Sequence, residues 1–257
     1  MFNHVPVILP PLERETVDGV RYYQVPDNDE LLKLVSITSV TSFYNRAKFA
    51  SWRKKIGEEK ANEITAKATS RGTDMHTLTE HYLLNEELPD VPPLPEFLFK
   101  IAKPELNKID NIHALEGSLF SKELGVAGTV DCKAEHEGEL AVIDFKTSKA
   151  PKPRKWIEGY FVQAMAYAAM YYEQTGTIAK KLVIIMACED GTCKVYEERN
   201  KKKYMKLLVH YIRNFLDFQS LISSIIAKIF KKRDRNANSN YEYSIINTRL
   251  HSRGRYT

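Results

Sequence analysis

A period of two runs through the middle of the chain. In "ELAVIDFKTSK" Ala141, Ile143 and Phe145 fall on one side, and Val142, Asp144 and Lys146 on the other, as in a β-strand. The preceding "GTVDCKAEH" divides the same way: Val130, Cys132 and Ala134 against Thr129, Asp131 and Lys133. Glu137-Gly138 between them suits a two-residue turn, and a four-residue loop gives the same register. Either sets Asp131 opposite Asp144 and Lys146 opposite Thr129. A slip of one residue would put acidic positions on the apolar face.

Helical spacing appears on both sides of this hairpin. Met75, Leu78, Tyr82 and Leu83 in "RGTDMHTLTEHYLLNEEL" predict a helix starting near Thr73. An earlier helix begins by about Ser42 and continues into the charged, helix-favouring "IGEEKANEITAKATS". "PDVPPLP" reads as a loop, "EFLFKIAKPELNKI" as a short amphipathic helix and "IHALEGSLFS" as the first strand of a sheet, with a turn at Gly125. "PKPRK" links the hairpin to the helix "WIEGYFVQAMAYAAMYYEQ", stopped by Gly176. "KLVIIMAC", "EDGT" and "CKVYEER" form strand, turn and strand, and a helix runs from about Asn200 to Phe230. Residues 1–35, with prolines at 6, 10, 11 and 26, read as an irregular or partly stranded lead-in. The sum is one α/β (α+β) domain over 1–230 with a helical N-terminal part, followed by a basic polar tail, 231–257, expected to be poorly ordered.

Composition narrows the class. Of 257 residues 43% are hydrophobic, enough for a core. The longest apolar runs, such as Leu182–Ala187, are far too short for a membrane span. No signal or transit peptide is legible at the N-terminus, so a cytoplasmic protein is expected. Cys132, Cys188 and Cys193 form no disulfide framework, and three cysteines cannot hold an iron–sulfur cluster by four. The net charge of +5 is matched by the tail, which has seven Lys/Arg and two Asp/Glu, so local clusters of charge say more than the total.

Two carboxylates directly opposed in a sheet repel each other and need a cation. Lys146 can neutralise them as a structural cluster. Alternatively, Asp131 and Asp144 hold a divalent hard cation, and Lys146 stabilises charge beside it. Around this pair, Trp156, Tyr160, Gln163, Tyr167 and Tyr171 or Gln174 share one helix stripe, opposite an apolar stripe of Phe161, Met165, Ala168 and Tyr172. Gln163 needs a polar partner there. His76, with Glu80 one turn on, and Glu116 on the neighbouring strand are further candidates. Lys146, Lys149, Lys152, Arg154 and Lys155 cluster after the hairpin. Arg46, Lys48, Arg53, Lys54 and Lys55 interleave with Phe43, Tyr44, Phe49 and Trp52. Each run is a solvated face or a surface for phosphates and stacked bases.

The combination "GTVD…IDFKTSK…Q-x-x-x-Y", with "RGTDMHTLTEHYL" and, more distantly, "SITSV", resembles the PD-(D/E)xK nuclease superfamily in its RecB-like exonuclease branch. The resemblance covers residues 71–85 and 116–175. It implies a restriction-endonuclease-like central mixed β-sheet flanked by helices and hydrolysis of DNA with Mg2+ or Mn2+. It implies metal ligation by Asp131, Asp144 and His76, and catalysis by Lys146 with both aspartates. Gln163, Tyr167, Glu116, Ser36, Thr38, Thr147 and Lys149 take supporting or DNA-binding places. The expected partner is DNA, mainly single-stranded with a free end, along with replication or recombination proteins. A structure-selective or site-specific endonuclease and a non-catalytic DNA-binding module are the other readings.

Overall fold

The computed structural model describes residues 1–28 and 30–225. The expected tail at 231–257 lies outside them. Contacts group residues 1–212 as one unit and 213–257 as a second, of which 213–225 are described and helical.

The first unit is mixed α/β, as expected, with a central eight-stranded mixed sheet flanked by helices. Its elements are β1 (Glu13–Val17), β2 (Val20–Asp27), β3 (Glu30–Ser36), α1 (Ile37–Ile56), α2 (Glu58–Leu83), α3 (Pro93–Leu106), β4 (Ile109–Ser121), β5 (Val126–His136), β6 (Glu139–Ser148), α4 (Glu158–Thr175), β7 (Lys181–Cys188) and β8 (Cys193–Glu198). A single 3-10 turn, Arg154–Trp156, precedes α4, and α5 starts at 201. The order β1-β2-β3-β5-β6-β7-β8, with β4 against β5, mixes antiparallel hairpins with the parallel pairs β3·β5 and β6·β7.

β7 is buried along its whole length because helices cover both of its faces. On one face Cys132, Ala134, Ile143, Phe145, Val183 and Ile185 pack with Met75 and Leu78 of α2 and Leu98 and Phe99 of α3. On the other, Val142, Leu182 and Ile184, of opposite parity, lie under α4.

The lead-in is partly stranded, as one of the two readings had it: β1 to β3 form a meander in the main sheet, and β1 is exposed throughout, so no apolar alternation marked it. Three expectations are corrected. α1 begins at Ile37 rather than about Ser42. α2 begins at Glu58, not near Thr73, because Gly57 at φ +87° ends α1 and the charged stretch is already helical. The proline-rich loop ends early, since Pro93 starts α3, where a missing N–H costs no hydrogen bond.

Candidate active site

The site forms where two strands part. β5 and β6 pair from His136·Glu139 to Cys132·Ile143, the register read from the sequence. Glu137 and Gly138 at φ +53° and +76° make the two-residue turn that sets it. β4 occupies the other edge of β5 along its length, and β3 pairs with β5 only at Val126 and Ala127. Since β3 and β6 share one edge of β5, residues 128–131 lie in a fork between them. β6 turns away to pair with β7 through Asp144–Ser148.

At the fork the regular Asp131·Asp144 pair does not form. Asp131 Oδ2 instead accepts the Phe145 N–H at 2.9 Å. Lys146 does not face Thr129 either: Thr129 pairs with Ser118 of β4, and Lys146 with Met186 of β7. Glu116, between Leu115·Cys132 and Gly117·Val130, falls opposite Asp131 on the other side, at φ +46°. A non-glycine residue held there carries about 1 kcal/mol or more of strain. Three adjacent strands thus present Glu116, Asp131 and Asp144 together.

Lys146 Nζ lies 2.6 Å from Asp144 Oδ1 and 3.8 Å from Asp131 Oδ2, and donates to the Phe145 carbonyl at 3.2 Å. His76 Nε2 is 2.9 Å from the same carbonyl and 3.8 Å from Asp131 Oδ2, with Nδ1 3.6 Å from Glu116 Oε1. Burial works against a charged His76 ring, but Asp131 and Glu116 outweigh it and raise its pKa to about 9. Burial, with repulsion from Asp131, pushes Asp144 up to about 7 against the pull of Lys146. Burial likewise opposes the Lys146 charge, and Asp144 and Asp131 more than restore it, so its pKa is raised.

His76, Glu116 and Asp131 each offer a ligand atom, all within 4.8 Å of one another. Glu116 joins His76 and Asp131 in this group, and the Asp144 carboxylate turns toward Lys146. Both Asp144 oxygens are buried, and the Lys146 ammonium, 2.6 Å from Oδ1, is their ion-pair partner. Carboxylates in excess of fixed positive charge, plus an imidazole, form a donor set that fits a divalent cation. Ligation by His76 requires the neutral ring, so such an ion would displace its proton.

The remaining predicted residues divide. Tyr167 is buried above the fork, with its hydroxyl accepting from Gln163 Nε2 at 3.1 Å. It presses on Gly128, where an added Cβ would meet its ring at 2.9 Å and Ile37 at 3.1 Å. Thr147 Oγ1 accepts from Arg71 Nε at 3.2 Å, and Arg71 also pairs with Glu189. Ser36 caps α1 and bonds Thr38 through their hydroxyls at 2.7 Å. Both stand at the β3 end of the fork. Lys149 is exposed in the bend after β6.

Other parts of the pattern fall elsewhere. Trp156 is exposed in the 3-10 turn and Tyr172 is exposed on α4, so the two helix stripes are not divided as expected. Tyr171 is core, its hydroxyl 2.9 Å from His113 Nδ1. Lys133 is wholly buried, with its ammonium 5.1 Å from the Tyr171 ring centroid. Arg154 is taken by Glu198. Tyr44 is stacked on Tyr211 at 3.6 Å. Sequence reasoning passed over Arg71 and the pairing of Tyr160 with Lys152. Tyr160 was already named on the stripe with Gln163 and Tyr167, and only its contact with Lys152 escaped that spacing.

A second group, His136, Glu137 and Glu197, also offers three ligand atoms. There Lys181 Nζ already lies 2.6 Å from Glu197 Oε1 and 3.8 Å from Glu137 Oε2, so the positive charge is built in.

No family model matches the chain. Three proteins named mitochondrial genome maintenance exonuclease 1 do. The human protein is 31% identical over 147 residues, 53% of this chain and 42% of its own length. The Xenopus tropicalis protein is 34% identical over 100 residues, 38% of this chain and 29% of its own length. The mouse protein is 33% identical over 100 residues, 38% of this chain and 30% of its own. The chain is thus related to these exonucleases and spans less than half of their length.

Proposed function

We propose that the chain is a metal-dependent DNA exonuclease that hydrolyses phosphodiester bonds, preferring single strands with a free end, in DNA replication, repair or recombination. The observation that carries this reading is the fork that places Glu116, Asp131 and Asp144 beside His76 and Lys146. The name shared by the three relatives supports it.

Mg2+ or Mn2+, when bound, supplies a Lewis acid for a phosphoryl oxygen and a more acidic water. His76, Glu116 and Asp131 would hold the ion, with Asp144 as the nearest further carboxylate. Lys146, kept protonated by Asp144 and Asp131, offers its ammonium to the negative charge that develops on the phosphate. Asp144 orients that ammonium. Gln163 and Tyr167 brace the opening of the fork. Preference for unpaired strands rests on α1, where Phe49 is exposed beside Trp52 and Arg46 lies 3.5 Å from the Phe43 ring centroid.

End-labelled single strands, with either the 5′ or the 3′ end blocked, test this in Mg2+ and then Mn2+. Mononucleotide or short products from one open end, abolished by chelation, are expected. Cleavage of a single-stranded circle would replace the exonuclease with an endonuclease of the same fold. No hydrolysis of any DNA form with either ion would reduce the chain to a binding module.

A further inference from the structure

We propose that Lys152 and Tyr160 form a phosphate subsite beside the candidate active site, which holds a backbone phosphate of the strand next to the one cleaved. This rests on the nuclease reading and adds to it a point that anchors the strand.

The cations that follow the hairpin are not equivalent. Lys146 is matched by Asp144, and Arg154 is matched by Glu198. Lys149 and Lys155 are exposed. Lys152 is half-buried and forms no ion pair among the described residues. It is held instead by neutral groups. Its ammonium donates to Tyr160 Oη at 3.0 Å, and its backbone carbonyl accepts from Tyr196 Oη at 2.7 Å. Pro151 and Pro153 flank it, and the following proline disfavours the helical conformation at Lys152. The side chain therefore starts from a stiff, extended segment. An ammonium fixed this way has donors to spare and no built-in counter-ion.

Position makes the ligand specific. The Lys146 and Lys152 ammonium groups each lie 5.4 Å from the centroid of the Tyr160 ring. They are thus within twice that distance of each other, joined by one rigid aromatic side chain. The Lys146 charge is met by Asp144, and the Lys152 charge on the same ring is left for an anion. A single strand crossing the fork presents its phosphates in series. One would sit at Lys146, and the next would find Lys152 and the Tyr160 hydroxyl. Asn45 of α1 approaches Gly159, so the aromatic face of α1 begins close to the same helix end.

The test uses the full chain and a fluorescent single-stranded oligonucleotide. Binding is measured across salt concentrations for Lys146→Ala and for Lys146→Ala with Lys152→Gln. Loss of one phosphate contact lowers the slope of log K against log salt by about 0.7 for a single strand. Lys152→Arg should keep the slope. In the otherwise unmutated enzyme, Lys152→Gln should raise KM roughly tenfold with kcat nearly unchanged, as expected for lost uniform binding. Tyr160→Phe should act in the same direction, more weakly. An unchanged salt slope overturns the subsite. An equal loss in Lys152→Arg also overturns it, because packing rather than charge is then at work. If the unmutated protein cleaves no DNA, the nuclease reading fails, and the salt slope still reports on Lys152 independently.

Discussion

β5 borders buried charge in both of its halves, with opposite outcomes. At its C-terminal end the ladder to β6 is closed. Lys181 sits between Glu197 and Glu137, while Lys108 holds Glu137 from outside at 3.2 Å. Toward its N-terminal half, from Asp131, the strands part, and three carboxylates meet one lysine and one histidine. The closed end matches each acid with a fixed cation. The open end sets three carboxylates against one lysine and one histidine and holds Glu116 at a strained φ. Similar residue types give a structural cluster in one place and a candidate catalytic centre in the other. What separates them is whether the acids are balanced and whether the backbone around them is paired.

The largest expected effect is at the open end. Lys146→Ala and Asp144→Asn should each lower DNA hydrolysis by on the order of 10³-fold, through loss of preorganised charge. Steady-state rates on end-labelled strands measure this, and unchanged circular dichroism would show that the fold survives. Turnover within a few-fold of the original for either variant would make the fork a structural cluster like its counterpart.

The closed end should show the reverse. Lys181→Ala removes a cation that is 2% exposed and leaves Glu197 unmatched. Breaking a fully buried pair costs about 3–5 kcal/mol. Glu197 is one-third exposed, so screening lowers the expected loss to about 2 kcal/mol. Replacing both partners, Lys181→Met with Glu197→Leu, should restore most of it. Urea midpoints read both effects, and DNA cleavage at a temperature where each variant is folded should be unchanged.

Glu116 tests the strain at the open end directly. Glu116→Gly relieves the φ of +46° and removes a negative charge from beside Asp131. Stability should rise by about 1 kcal/mol, less than the full strain because glycine also loses chain entropy. Cleavage should fall on the order of tenfold to a hundredfold, as when a metal site loses supporting groups. A variant that is both less stable and fully active would remove Glu116 from the site.

The difference in legibility between regions follows from range. The hairpin was readable because alternation from Thr129 to Lys146 and the Glu137-Gly138 turn are local, and together they determine register. The parting of the strands was not, since it depends on β3 reaching the same edge of β5 from almost a hundred residues upstream. β1 gave no signal because all of its side chains are exposed. The first half of α2 buries only Ala61, so only helix propensity marked it. Glu116 could be suspected on a neighbouring strand, but its facing of Asp131 follows from a β4·β5 register that contains an irregularity between Asp110 and Ala114. Lys152 and Tyr160 meet only because the segment after β6 folds back over the start of α4.

The smallest effect concerns His136, which is 1% exposed at the closed end, with no hydrogen bond to either ring nitrogen among the described residues and with Nδ1 3.5 Å from Glu197 Oε1. Burial, then Lys181, lowers its pKa, and Glu137, Glu197 and Glu105 only partly offset them. A free histidine titrates near 6.5. Below that value the unfolded chain takes up a proton that the folded chain refuses. The contribution of His136 to stability is therefore fully present above about pH 6.5 and is lost as pH falls through the lowered folded value. His136→Leu should remove this slope, leaving a flatter profile of urea midpoint against pH on the acid side and little change above neutrality. If the original and the variant lose stability in parallel as pH falls, the ring is not kept neutral. The closed end would then carry a third positive charge, and its balance with Glu197 and Glu137 would have to be redrawn.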